Sequence, residues 1–321
     1  MKLLIRNCFL FLLTTIGVYL LIFTVLFVIK IGNIPLIYRA SQANVWNGGG
    51  TYVKSRAFDV NDQYDIVAIG SSHAYRGYDP RIFNQYGFKM FNLGTSDQNM
   101  MCSYYIIKNY IKKENCQLLI LDLYDRVFTQ FNIESNSDVI QNISSDKTAL
   151  ELALAANDPR TINMFTLRMF NKFSAPLNKD TAGFINGFMP TKKQLKIPVQ
   201  RREYNYKTNP QSLKYLDMTL NYLQKEGVKV VITEHALPSV SPAPDHNKFV
   251  SDVTPILNKY DIKWFDYTND SSLTGLQYFA DESHLNVRGV YKYNHRLIAD
   301  LSKANILPVP FKSNFTTGVK K

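Results

Sequence analysis

The sequence predicts an α/β fold, a three-layer α/β/α sandwich in which helices cover both faces of a mostly parallel, five-stranded sheet. Two observations predict it. Short apolar runs of strand length alternate along the chain with longer segments whose apolar residues recur at helical spacing. Glycine, or aspartate followed by proline, marks several boundaries between them. Right-handed crossovers bring the carboxyl ends of parallel strands to one edge of the sheet, so a site is expected in the loops there.

The predicted strands are short and apolar. The run at 118–123 is almost wholly apolar, as expected of a strand covered on both faces. The run at 228–233 is rich in β-branched residues, which favour strands. In order, the strands are predicted at 66–69, 88–93, 118–123, 228–233 and 262–265.

The predicted helices have recognisable ends. Asp79 followed by Pro80 is typical of a helix start, with a capping carboxylate and a proline in the first turn. Gly87 and Gly227 are placed to end two helices. In order, the helices are predicted at 80–86, 97–114, 210–226, 249–260 and 286–304.

The composition is that of a globular protein with a basic surface. The chain has 321 residues, enough for one large domain or two small ones, and its net charge is +11. No recognised nucleic-acid motif accompanies that charge, so we expect no nucleic-acid partner and favour a surface near anionic lipid or an anionic wall polymer. Cys8, Cys102 and Cys116 form neither a disulfide framework nor a zinc pattern.

The N-terminus carries a membrane segment. Residues 8–29 include no charged side chain, and these 22 positions would extend roughly 33 Å as a helix, enough to cross a bilayer core. The apolar run is too long for a typical cleaved signal, and no convincing cleavage site follows it, so we favour a single-pass anchor. Lys2 and Arg6 favour a cytoplasmic N-terminus and an extracytoplasmic domain, although Lys30 and Arg39 on the far side weaken that orientation.

A long insertion interrupts the strand–helix alternation. In residues 127–209, polar stretches such as 134–138 alternate with helical pieces near 149–156 and 163–173, and a connection of this length is usually a subdomain or a lid. Its basic cluster is interpreted as a solvated face or as a dock for an anionic polymer or lipid headgroup. The cluster consists of Lys192, Lys193, Lys196, Arg201 and Arg202. The predicted organisation is a tail and anchor at 1–30, a tether at 31–62, a catalytic domain at 63–310 and a C-terminal tail at 311–321.

Two distant stretches supply the parts of an activated nucleophile. Gly70-Ser71-Ser72-His73 follows the first strand, where a turn into a helix would place a serine at the carboxyl edge of the sheet. Asp281 and His284 precede the last helix. Serine, histidine and aspartate are together the parts of an activated nucleophile. The alternatives are a plain turn at 70–72, Ser71 as the nucleophile, and a helix cap beside a buried histidine at 281–284.

These stretches resemble the blocks of the SGNH or GDSL-type hydrolases and acyltransferases. The sequence 70–73 lies at the Gly-Asp-Ser-Leu block, Asn92-Leu93-Gly94 resembles the second block, and 281–286 is similar to the Asp-x-x-His block. The resemblance covers about 64–124 and 210–304. It implies an SGNH or flavodoxin-like sheet, with Ser72 as nucleophile, His284 as base and Asp281 orienting the ring. The N–H groups of Ser72 and Gly94 would form the oxyanion hole.

One block departs from that family. Its third block reads Gly-x-Asn-Asp, whereas this chain has Leu123-Tyr124-Asp125 after the third strand and no asparagine there. The Ser-Ser-His sequence and the anchor resemble membrane-tethered envelope members such as the D-alanyl transfer and alginate O-acetylation proteins. That similarity implies a serine esterase or O-acyltransferase acting on an acyl-bearing envelope polysaccharide or an acyl donor, beside a membrane-bound O-acyltransferase. The missing asparagine favours the alternative, a weak or inactive protein that binds a glycan or that partner.

Three further residues are candidates for a substrate pocket, because each lies at the same predicted edge. They are His73, Asp125 and His235, and surface or structural roles are the competing interpretation for the two histidines. No cofactor and no metal are expected. A flavodoxin-like nucleotide binder is a weaker hypothesis, since nothing in the chain resembles G-x-G-x-x-G.

Overall fold

The chain begins with one long apolar helix, α1 (Lys2–Val28). The computed structural model describes residues 1–40, 50–129, 133–171, 183–197, 207–238 and 246–308. Within them, α1 is the helix that is long and apolar enough to cross a membrane. Its 27 residues extend about 40 Å, and most of its large apolar side chains are exposed. A hairpin of two short strands, β1 (Lys30–Ile31) and β2 (Ile34–Pro35), follows it.

The described residues confirm the predicted sheet. Its five strands are all parallel and lie in the spatial order β4–β3–β5–β6–β7. They are β3 (Tyr64–Ile69), β4 (Met90–Asn92), β5 (Cys116–Asp122), β6 (Lys229–Glu234) and β7 (Trp264–Asp266). Counted along the chain this order is 2-1-3-4-5, which places the topological switch point at the carboxyl ends of β3 and β5. In doubly wound sheets that crevice is where ligands bind.

Helices cover both faces of the sheet. Alternate residues of β3 point to opposite faces, so Val67 and Ile69 join the core on one face of the sheet, while Ile66 and Ala68 join the core on the other. The helices after α1 are α2 (Leu36–Ala40), α3 (Thr51–Ala57), α4 (Ser72–Gly77), α5 (Pro80–Gln85), α6 (Met100–Tyr110), α7 (Ile133–Asn142), α8 (Asp146–Ala155), α9 (Pro159–Asn171), α10 (Pro210–Glu226), α11 (His246–Lys259) and α12 (Val287–Lys303). Single helical turns lie at Asp125–Phe128 and Leu276–Tyr278.

The insertion contains the helices α7, α8 and α9, and α9 packs on α1. The ring of Phe23 lies 5.0 Å from that of Phe170 in α9, and the Tyr19 hydroxyl donates to Asn163 Oδ1 at 2.9 Å. Lys192, Lys193 and Lys196 are exposed, as a solvated face requires. The other two members of that basic cluster, Arg201 and Arg202, lie outside the described residues, as does the C-terminal tail.

One segment differs from its interpretation as a polar stretch. Residues 134–138 belong to α7, and four of its polar side chains there are buried. They find partners across the fold, since Asn99 Nδ2 donates to Asn136 Oδ1 at 3.1 Å and the Thr51 hydroxyl donates to Asp138 Oδ2 at 2.5 Å. Burial of polar groups is tolerated where such hydrogen bonds form, so polarity alone did not exclude a helix.

The predicted tether is not a free linker over its described second half. Residues 41–49 lie outside the described residues, but α3 packs on the domain with Thr51 and Lys54 buried. Phe58 then stacks on Tyr64, the first residue of β3, with ring centroids 4.8 Å apart. Within the predicted tether, α3 and Phe58 are therefore packed against the residues of the sheet domain.

Candidate active site

The turn between β3 and α4 presents Ser72. Gly70 is needed there because a Cβ atom would lie 2.7 Å from the carbonyl oxygen of Asp122 and 2.8 Å from its Cβ. Ser71 caps α4, since its Oγ accepts the N–H of His73 at 3.3 Å, and it is only 2% exposed. Ser72, the first residue of α4, is half-buried instead. The cap and the burial of Ser71 therefore favour Ser72 as the reactive hydroxyl.

Ser72, His284 and Asp281 form one hydrogen-bonded chain. His284 Nε2 lies 2.8 Å from Ser72 Oγ, although the residues are 212 positions apart in sequence. His284 Nδ1 lies 2.9 Å and 3.0 Å from the two carboxylate oxygens of Asp281. An ionised carboxylate only accepts hydrogen bonds, so Nδ1 carries the ring proton and Nε2 offers its lone pair to the serine hydroxyl. This is the geometry of a serine nucleophile with its base and an orienting carboxylate.

The carboxylate of Asp281 is held in its ionised form. Burial raises its pKa, but the hydrogen bond and charge of His284 and the N–H groups of Ser283 and His284 outweigh burial, so the pKa lies well below its ordinary value. Those two N–H groups donate to Asp281 Oδ1 at 3.0 Å and 2.9 Å. Arg76 Nη1 lies 3.9 Å from Asp281 Oδ2. An ionised Asp281 can stabilise the imidazolium that forms when His284 accepts a proton.

Asn286 fixes the loop that carries Asp281 and His284. Its Oδ1 accepts the N–H groups of Arg288 and Gly289 at 2.9 Å and 3.1 Å, which caps α12. Its Nδ2 donates to the Phe279 carbonyl at 3.0 Å. One side chain thereby ties the start of α12 to the chain just before Asp281, and the loop is held at both ends.

The predicted oxyanion hole has one available donor and one shared donor. Ser72 stands at the start of α4, where a helix leaves N–H groups without a carbonyl one turn back. The Gly94 N–H already donates to Asn92 Oδ1 at 3.0 Å. Asn92 Nδ2 in turn donates to the Ala74 carbonyl at 2.8 Å, which joins this loop to α4. An oxyanion would therefore share the Gly94 donor with the Asn92 amide.

The three proposed pocket residues are buried. His73 and His235 are each 1% exposed and Asp125 is 2% exposed. The His73 ring packs between Tyr124 and His235, with centroid separations of 3.8 Å and 4.1 Å, and its centroid lies 5.5 Å from that of the His284 ring. Side chains this deeply buried cannot contact a substrate directly in this conformation, so we interpret the histidines as a layer that supports His284.

Burial keeps His235 neutral. Removal from water lowers its pKa to about 4, against the opposing hydrogen bond from Nδ1–H to the Ala236 carbonyl at 2.7 Å. The positive charge of a protonated His284 would lower it further. A neutral His235 therefore adds no positive charge to the layer of rings beside His284.

One cluster has the residue types of a metal site. Donor atoms of Glu234, His246 and Asp266 all lie within 4.8 Å of one another. His246 Nε2, however, is hydrogen-bonded to Asp266 Oδ2 at 2.8 Å, and Nδ1 lies 3.9 Å from Glu234 Oε2. The imidazole is thus hydrogen-bonded to one of the two carboxylates of this cluster.

Sequence reasoning did not single out two side chains near the site, Arg76 and Lys54. Arg76 lies four residues after Ser72, and the helical spacing was a signal that both share one face of α4. Lys54 contacts the Gly94 carbonyl with its amine. No signal in the sequence distinguishes it from the other lysines, because its partner lies in a loop 40 positions away.

No protein-family model matches the sequence, and no curated protein matches it. Solved structures give low-scoring matches. A protein described as an acylhydrolase from Bacteroides fragilis aligns over 80% of this chain and 95% of its own, with 11% identity and a TM-score of 0.41. An acetyl xylan esterase aligns over 76% and 100%, with 11% identity and a TM-score of 0.40. A lipolytic protein of the G-D-S-L family from Desulfitobacterium hafniense aligns over 76% and 100%, with 10% identity and a TM-score of 0.38. Similarity this low carries no functional argument, so the function rests on the site's own geometry.

Proposed function

We propose that this protein is an SGNH-type serine esterase or O-acyltransferase with Ser72 as its nucleophile. One observation carries the proposal, the continuous chain from Ser72 Oγ through His284 to Asp281, with contacts of 2.8 Å and 2.9 Å. A serine hydroxyl is a poor nucleophile at neutral pH and needs an adjacent base of this kind. The position of Ser72 after β3, at the switch point of the sheet, agrees with a ligand site.

The reaction would proceed in two balanced steps. His284 Nε2 takes the proton as Ser72 Oγ attacks the carbonyl carbon of an acyl ester. The ester C–O bond then breaks, the leaving alcohol takes the proton from His284, and the acyl group stays on Ser72. Water or a sugar hydroxyl next gives its proton to His284 and attacks the acyl carbonyl. Ser72 leaves with that proton, which regenerates the enzyme and releases an acid or a new ester.

The substrate class and location are proposed from the charge, the anchor and the family resemblance. The apolar helix α1 would hold the domain at a membrane, and Lys2 and Arg6 favour a cytoplasmic N-terminus. The net charge of +11 and the exposed lysines at 192–196 suit an anionic surface. We infer an extracytoplasmic enzyme that modifies an acyl-bearing envelope polysaccharide, with a membrane-bound O-acyltransferase as a candidate partner.

The chain offers a matched pair of variants to test the nucleophile, Ser72→Ala and Ser71→Ala. The full chain in detergent would be assayed for acetate release from p-nitrophenyl acetate and for labelling by a fluorophosphonate. Loss of the nucleophile should reduce turnover by about 10³-fold or more and abolish labelling. Ser71→Ala should retain labelling, because Ser71 serves as a helix cap. Unchanged turnover in Ser72→Ala would remove Ser72 as the nucleophile.

A second candidate function is binding without turnover. The occupied Gly94 N–H and the absence of the third-block asparagine favour it, because both weaken oxyanion stabilisation. The same fluorophosphonate experiment separates the two functions. A folded protein that resists labelling at Ser72 would support the binding function, whereas rapid labelling would exclude it.

A further inference from the structure

Lys54 in α3 is a buried lysine that contacts the predicted oxyanion loop. It is 2% exposed, and its Nζ donates to the carbonyl oxygen of Gly94. The Nζ atom also lies 4.5 Å from the Tyr75 ring centroid and 5.0 Å from that of Phe184. A lysine side chain usually keeps its charge in water, so complete burial requires compensating contacts.

A second buried charge accompanies it. Burial lowers the pKa of Lys54 well below its ordinary value, and the carboxylate of Asp138 opposes that shift. Asp138 is itself held by the Thr51 hydroxyl at 2.5 Å and by Asn142 Nδ2 at 2.9 Å. The carbonyl, the two aromatic rings and the carboxylate together allow a cation in the protein interior at this position.

The contact restrains the peptide that follows Gly94. The carbonyl of that peptide accepts from Lys54, and its N–H, which belongs to Thr95, donates to the Gly70 carbonyl at 3.1 Å. The preceding peptide is restrained through the Gly94 N–H, which donates to Asn92 Oδ1. Gly94 is thus held through both of its peptides. Of these contacts, the one from Lys54 comes from α3, outside the sheet and its turns.

We propose that Lys54 is a positioning residue that sets the orientation of the Gly94 N–H toward the acyl oxyanion. The inference rests on the proposed function, because it gives Lys54 a role in that reaction. It also makes α3 part of the active-site support, so the segment that joins α1 to the domain contributes directly to the reaction.

A positioning role and a structural role predict opposite effects of Lys54→Met. Methionine has a similar shape without a charge, and exchanging a buried charge for an apolar group is often neutral or stabilising. The fold should therefore keep its thermal stability, whereas the peptide after Gly94 loses its restraint. If Lys54 served only the fold, its replacement by methionine would lower stability and turnover together.

The experiment uses the full chain in detergent, with p-nitrophenyl acetate as substrate and thermal unfolding in parallel. For Lys54→Met we expect kcat to fall by about tenfold or more, KM to change by less than about twofold, and Tm to stay level or rise. Lys54→Gln, which can still donate to the carbonyl, should lose less kcat and provides a second variant if Met does not fold. Lys89→Met is the matched control, since Lys89 pairs with Asp62 at the surface, and it should leave all three values unchanged.

Two results would overturn the inference: a kcat of Lys54→Met equal to that of the parent, or a parallel loss of Tm and kcat in both Lys54 variants. Ser72→Ala separates this failure from failure of the proposed function. If Ser72→Ala abolishes turnover while Lys54→Met does not change kcat, the positioning role alone is wrong. If Ser72→Ala leaves turnover intact, the proposed function is wrong and the role of Lys54 in it is wrong as well.

Discussion

Replacing Asp122 with asparagine should change how the stability of the fold depends on pH. Asp122 is the last residue of β5, is 4% exposed, and its Oδ2 accepts the Tyr78 hydroxyl at 2.5 Å. Burial raises its pKa from 3.8 to about 8, although the Tyr78 hydrogen bond opposes the rise. Because the folded pKa lies above the unfolded one, the stabilisation is complete below pH 3.8 and is lost as the pH rises through about 8.

The magnitude follows from linkage. Between pH 4 and pH 7 the unfolded chain releases this proton while the folded protein keeps it, which costs the fold about 1.4 kcal/mol per pH unit. Over roughly three units, Asp122 therefore lowers the free energy of unfolding by about 4 kcal/mol. Asparagine does not titrate, so the variant should lack this loss. Any pH-independent cost of the new amide cancels when the two pH slopes are compared.

The assay is urea unfolding of the full chain in one detergent at several pH values from 4 to 7, followed by tryptophan fluorescence. The difference in unfolding free energy, Asp122→Asn minus parent, should rise steadily with pH. The control is Asp217→Asn, which removes a surface carboxylate paired with Lys259. A difference that stays flat across this range would refute the argument that Asp122 is protonated in the folded protein at neutral pH.

Two other predictions concern the neighbours of Ser72. Gly94→Ala should reduce fluorophosphonate labelling of Ser72 by about tenfold or more in protein that still folds. The new Cβ would lie 2.7 Å from Ala74 Cβ and would displace the loop from α4. Labelling at the parent rate would contradict this geometry. His235→Phe keeps an uncharged ring beside His73, so kcat for p-nitrophenyl acetate should stay within about threefold of the parent; complete loss of turnover would instead assign His235 a chemical role.

The sheet could be predicted from the sequence because its signals are local. Each strand is an apolar run with turn residues near its ends, and parallel connectivity follows from the helices between the strands. The same topology placed the segments at 70–73 and 281–284 on one edge before any distance was known. The choice between Ser71 and Ser72 as the reactive hydroxyl depends on more distant contacts. It is decided by which hydroxyl caps α4 and which one lies next to His284.

The polar interior could not be predicted, because its partners are remote in sequence. Thr51 and Asp138 are separated by 87 positions, and Lys54 and Gly94 by 40. A polar residue read alone indicates exposure, and its burial becomes favourable only when a specific distant group satisfies it. This is why residues 134–138 were interpreted as a polar stretch and why Lys54 was assigned to a tether.

The surroundings of His284 explain why a buried histidine layer suits a site of this kind. In the proposed reaction His284 accepts the serine proton and becomes positively charged, and a neighbouring cation would oppose that step. Asp281 supplies the compensating negative charge on one side of the ring at 2.9 Å. The His73 ring lies next to the His284 ring, with centroids 5.5 Å apart, and His235, which burial keeps neutral, packs on His73. In the proposed reaction a lysine or arginine in this layer would repel the imidazolium, so the chemistry would constrain side chains that do not contact the substrate.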